Sequence, residues 1–253
     1  MLAKSRQFID LLIGMTEKEL KARYKNTLFG FLWIVLNPIL QMIIIGLIFS
    51  FFIKIDNYFL FLFSGLLPWQ FISLSLSKAT PSIVFERALL QKAKFPIETI
   101  PISIILANFI NMIVSFVLFF LVLLVVGKFS IWGVLITITV LIWLLVFTIG
   151  LSLLTSCLQV KYRDVNFFVQ TVLILWFYAT PVLYNLSLIP KALFPIFSLN
   201  PLTSIFEILH QSLLQQGSLD IQILIINFAI SLFVIFIGIF LFKREYKYFV
   251  DWL

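Results

Sequence analysis

The chain has 253 residues, of which 62% are hydrophobic and only 11% charged, and its net charge is +7. A soluble domain carries about a quarter charged residues, so water is excluded as the main solvent, and the long apolar runs leave no room for a globular domain beside a membrane. A charge excess of this sign suits nucleic acid, but its position along the chain decides its meaning, and that position points to lipid.

A helical bilayer crossing takes about 20 apolar residues, and charge-free stretches predict six spans: 27–53, 58–77, 99–126, 129–160, 165–184 and 221–242. The expected fold is an all-α integral membrane protein with one transmembrane domain over 1–253, its six-span region at 27–242. Ahead of the first span, 1–26 predicts a cytoplasmic interface helix. Phe8, Leu12 and Met15 share one face and Arg6, Asp10, Glu17 and Lys21 the other. Asp10, Glu17 and Glu19 interrupt its weakly apolar run, unlike a cleavable secretory signal. The basic residues Lys21, Arg23 and Lys25 then meet the headgroup zone, where they set topology and suit a lipid phosphate.

Pro68 interrupts the second span and Pro181 the fifth. Proline removes a backbone donor, so a kink, a break or a partly re-entrant helix is expected at each. Between the second and third spans, the stretch from Pro81 is good helix material. It predicts a cytoplasmic helix over about 81–95 that presents Phe85, Glu86, Arg87 and Leu89 to another protein. Between the fifth and sixth spans, 186–218 is apolar yet broken by Pro190, Pro195 and Pro201, which predicts short re-entrant helices. Residues 243–253 read as a cytoplasmic tail. All of the 18 Lys and Arg except Lys54, Lys128 and Lys191 fall in alternate segments outside the spans. The positive-inside rule then puts both termini in the cytoplasm.

The chemistry that is missing narrows the function. With one histidine, His210, a metal cluster or a Ser/His/Asp arrangement cannot be assembled within the chain, and His210 is expected on a partly solvated surface. No catalytic and no metal-binding residue is predicted. Cys157, the one cysteine, cannot form an intramolecular disulfide and reads as a packed residue. The predicted spans contain no Asp, Glu, Lys or Arg, unlike those of ion-coupled transporters. Their Asn37, Gln41, Asn108, Asn111 and Asn227 suit hydrogen bonds between helices. There is no Gly-rich phosphate loop of the G-x-x-x-x-G-K-[ST] type, so any ATP-driven work requires a separate ATPase subunit. Trp33, Trp69, Phe71, Trp176, Tyr178 and Tyr184 cluster near predicted breaks and ends. They form either an interfacial belt or faces over which sugar rings slide.

The stretch ELKARYKNTLFGFLWIVLNP at 19–38 resembles the approach to the first span in type-2 ABC exporter permeases for polysaccharides, the O-antigen, teichoic-acid and capsule systems. The likeness continues in order through SGLLPWQF at 64–71, QKAKFPIETIP at 91–101, YRDV at 162–165, TPVLY at 180–184 and NPLT at 200–203, and so covers essentially the whole chain. It implies a homodimer in a bacterial cytoplasmic membrane, with two copies of an ATPase that bind ATP and Mg, and no cofactor in this chain and no nucleic acid. The 81–95 helix would couple to the ATPase through Phe85, Glu86 and Arg87, with Arg163 and Asp164 at the cytoplasmic end of the fifth span. Trp33, Trp69, Phe71, Tyr178 and Tyr184 are the candidates for the glycan path, and Lys21, Arg23 and Lys25 for a lipid pyrophosphate. Two other readings stand beside this one: a type-2 ABC exporter of drugs or small amphiphiles, and a membrane glycosyltransferase acting on a polyprenyl-linked sugar. The latter needs catalytic carboxylates outside, where the chain offers only Asp56, Glu207 and Asp220.

Overall fold

The computed structural model describes residues 2–92, 95–190, 192–215 and 220–249, and all regular structure among them is helical. Residues 1, 93–94, 191, 216–219 and 250–253 lie outside the described residues, and all of these but Leu219 belong to the predicted interface helix, coupling helix, re-entrant region and tail. The helices are α1 (Leu2–Tyr24), α2 (Trp33–Phe49), α3 (Tyr58–Phe85), α4 (Arg87–Lys92), α5 (Thr99–Val125), α6 (Ile131–Lys161), α7 (Val165–Tyr178), α8 (Phe194–Ser198), α9 (Thr203–Leu214) and α10 (Ile221–Glu245). Five of them, α2 with its leading 3-10 turn, α3, α5, α6 and α10, are long and apolar enough to cross a bilayer.

Helix α3 is the centre of the bundle. Phe61, Leu62, Leu66, Ile72 and Leu76 are fully buried on it, and α2, α5, α6, α7 and α9 all pack around it. The break expected at Pro68 is not there: α3 runs unbroken through Pro68 and Pro81. Both prolines are buried, and a helix enclosed by neighbours keeps its turns where an isolated one gives way. The helix also runs past residue 77, so Lys78 lies inside it rather than in a loop. The predicted 81–95 helix is therefore divided. Its first turn is the end of α3, Glu86 is the C-cap, and α4 holds only six residues.

The fifth predicted span, 165–184, is also shorter than expected. Helix α7 stops at Tyr178 after 14 residues, about 21 Å at 1.5 Å per residue, whereas the hydrocarbon core is about 30 Å thick. Pro181 cannot donate to a continuing helix, so 179–185 takes an irregular path, and its polar groups are met by side chains. Asn200 Nδ2 donates to Ala179 O and Thr180 Oγ1, each at 2.9 Å, and Tyr58 Oη donates to Leu183 O at 3.0 Å. The TPVLY and NPLT stretches thus meet at Asn200, whose Oδ1 also accepts from Trp176 Nε1 at 2.8 Å. In the 186–218 region the chain forms the short helices α8 and α9, and α9 buries Ile205, Phe206 and Leu209 completely.

Helices α6 and α10 approach each other closely. A Cβ built on Gly238 would lie 2.0 Å from Gly150 O, so only glycine permits this approach, which is how membrane helices pack without a hydrophobic drive. Cys157 is buried where these helices meet, its thiol facing Leu241 O at 3.8 Å.

Candidate functional site

Three places collect the sequence-predicted residues. The first is a cavity of about 220 Å³ enclosed by the last turn of α1 and by α2, α3 and α5. Its polar wall comprises Arg23, Tyr24, Asn37, Gln70, Lys78, Asn108, Asn111 and Ser115. Helical geometry explains which cations arrive there. Lys21 and Lys25 are four apart and share a face, whereas Arg23 points about 200° away from Lys21 at 100° per residue. Lys21 is exposed and paired with Glu17, Lys25 is exposed, and Arg23 lines the cavity. The three cations expected to act together are therefore split.

The second cation of this cavity, Lys78, was missed in the sequence because the span was ended at residue 77. The available signal was a lone cation within an otherwise charge-free 28-residue helix, the kind of residue that marks function in a membrane segment. Asn108 Nδ2 donates to Ser75 Oγ at 3.1 Å, the expected interhelical bond. Arg23 Nε and Nη2, Asn108 Oδ1 and both amide atoms of Asn111 are buried without a well-formed hydrogen bond, and the Tyr24 phenol lies beside both Arg23 and Asn111. Burial raises the pKa of the Tyr24 phenol above its ordinary value, and the neighbouring Arg23 charge opposes this.

The second place is a groove of about 340 Å³ between α2, α3 and α7, lined by Gln41, Trp69, Ser73, Gln170, Phe177 and Tyr178 among others. Gln70 Nε2 donates to Gln41 Oε1 at 2.9 Å, and Ser77 Oγ donates to Gln170 Oε1 at 3.3 Å. Trp69 packs on Phe177 with ring centroids 5.3 Å apart, and Phe177 lies 5.2 Å from Tyr178. Tyr184 adjoins through its hydroxyl, which donates to Tyr178 O at 2.6 Å. Phe71 does not face this groove. Two residues from Trp69 it points to the opposite side of α3, set edge-on to Phe109 and lining the first cavity together with Trp33. The five aromatic candidates therefore form two groups.

The third place is the end of the bundle where α3 and α6 finish. Thr80 Oγ1 donates to Thr155 Oγ1 at 2.9 Å, five or six residues before each helix ends. The turn with Phe85, Glu86 and Arg87 and the turn with Arg163 and Asp164 hence emerge together. Phe85 is 79% exposed, and Glu86 is held by Lys18 of α1 at 2.9 Å. Gln159 spans the second turn, its Nε2 donating to Arg163 O at 3.0 Å and its Oε1 accepting from Asn166 N–H at 2.6 Å.

His210 is not on the surface as expected. It is 1% exposed, stacked on Phe61 with centroids 3.7 Å apart, because α9 docks into the bundle rather than lying on it. No metal-binding group of three or more His, Cys, Asp or Glu occurs among the described residues.

Known proteins resemble this chain over most of its length. The model of the ABC-2 type transporter family matches residues 11–214. The O-antigen export system permease protein RfbA of Myxococcus xanthus is 37% identical over 203 residues, 79% of this chain and 78% of that protein. A protein of the same name from Klebsiella pneumoniae is 32% identical over 246 residues, 94% of this chain and 93% of that one. A second Klebsiella pneumoniae relative so named is 31% identical over the same length. This chain is a membrane permease of the ABC-2 type transporter family.

Proposed function

We propose that the chain is the channel-forming subunit of an ATP-driven exporter that moves a lipid-linked polysaccharide, of the O-antigen or teichoic-acid kind, across the bacterial cytoplasmic membrane. The observation that carries this reading is the groove between α2, α3 and α7. Its lining joins three aromatic rings and two amides to Ser73 and the aliphatic Ile45, Leu173 and Ile174, without a charged group, and it lies open beside the exposed α2. Such a surface holds sugar rings by broad stacking and exchangeable hydrogen bonds, so a polymer advances without a deep trap.

A second copy of the chain set against α2 and α7 closes two such grooves into one passage, which is why a homodimer is the assembly proposed. The crossing begun by α7 is completed by residues 179–185, giving six crossings. The basic segments gather at the end of the bundle where α3 and α6 finish, and the positive-inside rule assigns that end and both termini to the cytoplasm. There Phe85, Glu86 and Arg87, with Arg163 and Asp164, meet two copies of an ATPase. These partners bind ATP and Mg and hydrolyse the nucleotide, so this chain performs transport and no chemistry. The product path joins the pathway class that assembles lipopolysaccharide or a comparable envelope glycan.

The test is export into proteoliposomes holding the permease and its ATPase. Tyr178→Ala with Gln170→Ala, both exposed positions, should slow long-chain export several-fold, in line with the modest worth of one aromatic contact. Glu86→Arg should uncouple ATP hydrolysis from export. Wild-type export in both variants, at normal protein levels, would overturn the reading. One observation favours the small-amphiphile alternative: a largely apolar pocket of about 710 Å³ between Phe95, Ile102, Ile149, Leu153 and Phe242, with Glu98 and Lys243 also in its wall, a size usual for drug-like ligands. Loss of amphiphile efflux on Leu153→Trp, with no glycan export in the wild type, would establish that alternative.

A further inference from the structure

The cavity beneath α1 belongs to neither the aromatic groove nor the coupling end, and its chemistry differs from both. It gathers two cations, Arg23 and Lys78, and four amide side chains, Asn37, Gln70, Asn108 and Asn111. No Asp or Glu is among the residues that line it. Glu19 stands within electrostatic range of Lys78 from outside the cavity, as does Arg23 from within it. Two like charges are held near one another in a largely apolar setting, and no carboxylate in the cavity wall answers the buried nitrogens of Arg23, whose neighbour is the neutral Tyr24 phenol. A guanidinium in that state calls for an anion with several oxygens, because its fork geometry matches phosphate. The amides of Asn111 and the free Oδ1 of Asn108 add one set of donors and two acceptors for the hydroxyl or water that accompanies such a group.

At about 220 Å³ the cavity has room for a phosphate or diphosphate. Its position selects further: α1 ends and α2 begins at the rim, and the outer face of α2 beside it exposes Leu40, Ile43, Ile44 and Leu47, a surface suited to acyl or prenyl chains.

We infer that Arg23, Lys78 and the Asn111 amide nitrogen form a phosphate-recognition pocket within a single protomer, which takes the phosphate or diphosphate headgroup of a lipid while its chains rest on α2. The inference deepens the proposed function, because a lipid-linked glycan carries such a group at its lipid end. Lys21 and Lys25 take no part in it.

The experiment measures binding to the full-length permease in neutral detergent, using a polyprenyl diphosphate, inorganic pyrophosphate and phosphatidylglycerol as separate probes. Arg23→Gln and Lys78→Gln should each weaken polyprenyl diphosphate binding about tenfold or more, the scale of a lost charged hydrogen bond. Arg23→Lys and Lys78→Arg should retain part of it, and Lys21→Gln and Lys25→Gln should leave it unchanged. Competition by inorganic pyrophosphate would assign recognition to the headgroup itself, and binding of the lipid without such competition would assign it to headgroup and chains together. Either result upholds the pocket. Equal binding of phosphatidylglycerol would overturn it in favour of a general anionic-lipid surface. So would wild-type affinity in Arg23→Gln and Lys78→Gln proteins that elute and melt as the wild type does. The exporter reading fails separately: absence of ATP-dependent glycan export by the wild type, with lipid diphosphate binding intact, would sink that reading and leave the pocket standing.

Discussion

Helices α2 and α3 lie side by side and antiparallel, yet they solve opposite problems. The α2 span has a mean hydropathy of 2.3 and only 11% of its window is buried, whereas α3 has a mean hydropathy of 1.6 and 72% buried. The less apolar helix is the interior one. In water that would be backwards, but lipid tails are as apolar as leucine, so apolarity earns a helix nothing by burial here. What brings helices together is close approach and hydrogen bonding. Ser64, Gly65, Ser75, Ala79, Thr80 and Ser82 of α3 are all buried, and a Cβ on Gly65 would stand 3.0 Å from Val182 O. On α2 only Pro38 and Gly46 are buried, and Gly46 admits the ring of Phe59 at 2.6 Å from a Cβ it does not have.

The largest effect should come from carving into α3. Phe61 is fully buried and stacks on both Tyr58 and His210. Phe61→Ala should cost about 3 kcal/mol, the low end for a buried aromatic, because the cavity remains while the gain from leaving water does not apply. On α2, Leu47 is 55% exposed, and Leu47→Ala should stay within about 0.5 kcal/mol. Unfolding of the two variants in mixed micelles measures the contrast directly. Equal losses would mean that burial in the bundle does not separate the two helices.

Polar contacts between helices should rank next. Asn227 of α10 donates from Nδ2 to Ser204 Oγ of α9 at 2.8 Å, and both residues are buried. Such bonds within membranes average about 0.6 kcal/mol and reach about 1.7. A double-mutant cycle of Asn227→Leu and Ser204→Ala should therefore return a coupling of about 1 kcal/mol. A coupling near zero would assign the cohesion of the interior to packing alone.

The same contrast explains what was legible in the sequence. Lengths of apolar runs located α2, α3, α5, α6 and α10, because solvent chemistry acts on every residue of a span. Ends were less legible. The charge of Lys78 predicts a span that ends at residue 77, but α3 continues where the protein itself supplies the surroundings of that lysine. Pro68 suggested a break that the enclosure of α3 prevents, while Pro181, with no helix continuing beyond it, did end α7. The aromatic candidates were found as a set, but residues 69 and 71 had to diverge on any helix, so treating Trp69 and Phe71 as one path overlooked a periodicity already present in the sequence. His210 was misplaced for a different reason: nothing local in 203–214 says that α9 is received by a slot beside Gly65, which only the assembled bundle provides.

The smallest effect belongs to the exposed face of α1 and separates it from the cavity on its other side. Lys21 donates to the Glu17 carboxylate one turn away, which lowers the Glu17 pKa below its ordinary value. A depressed carboxylate pKa means that the folded helix binds fewer protons than the unfolded chain. The pair's contribution is therefore present above the unfolded pKa and disappears as the pH falls through the folded one. Both side chains are exposed, so water and salt screen the pair. Acidification from neutral to below the carboxylate range should shift the melting of wild type and Glu17→Gln protein alike, with no resolvable difference between them. A clear difference that survives high salt would show this face covered by something other than solvent, and Lys21 would have to rejoin Arg23 as a binding group.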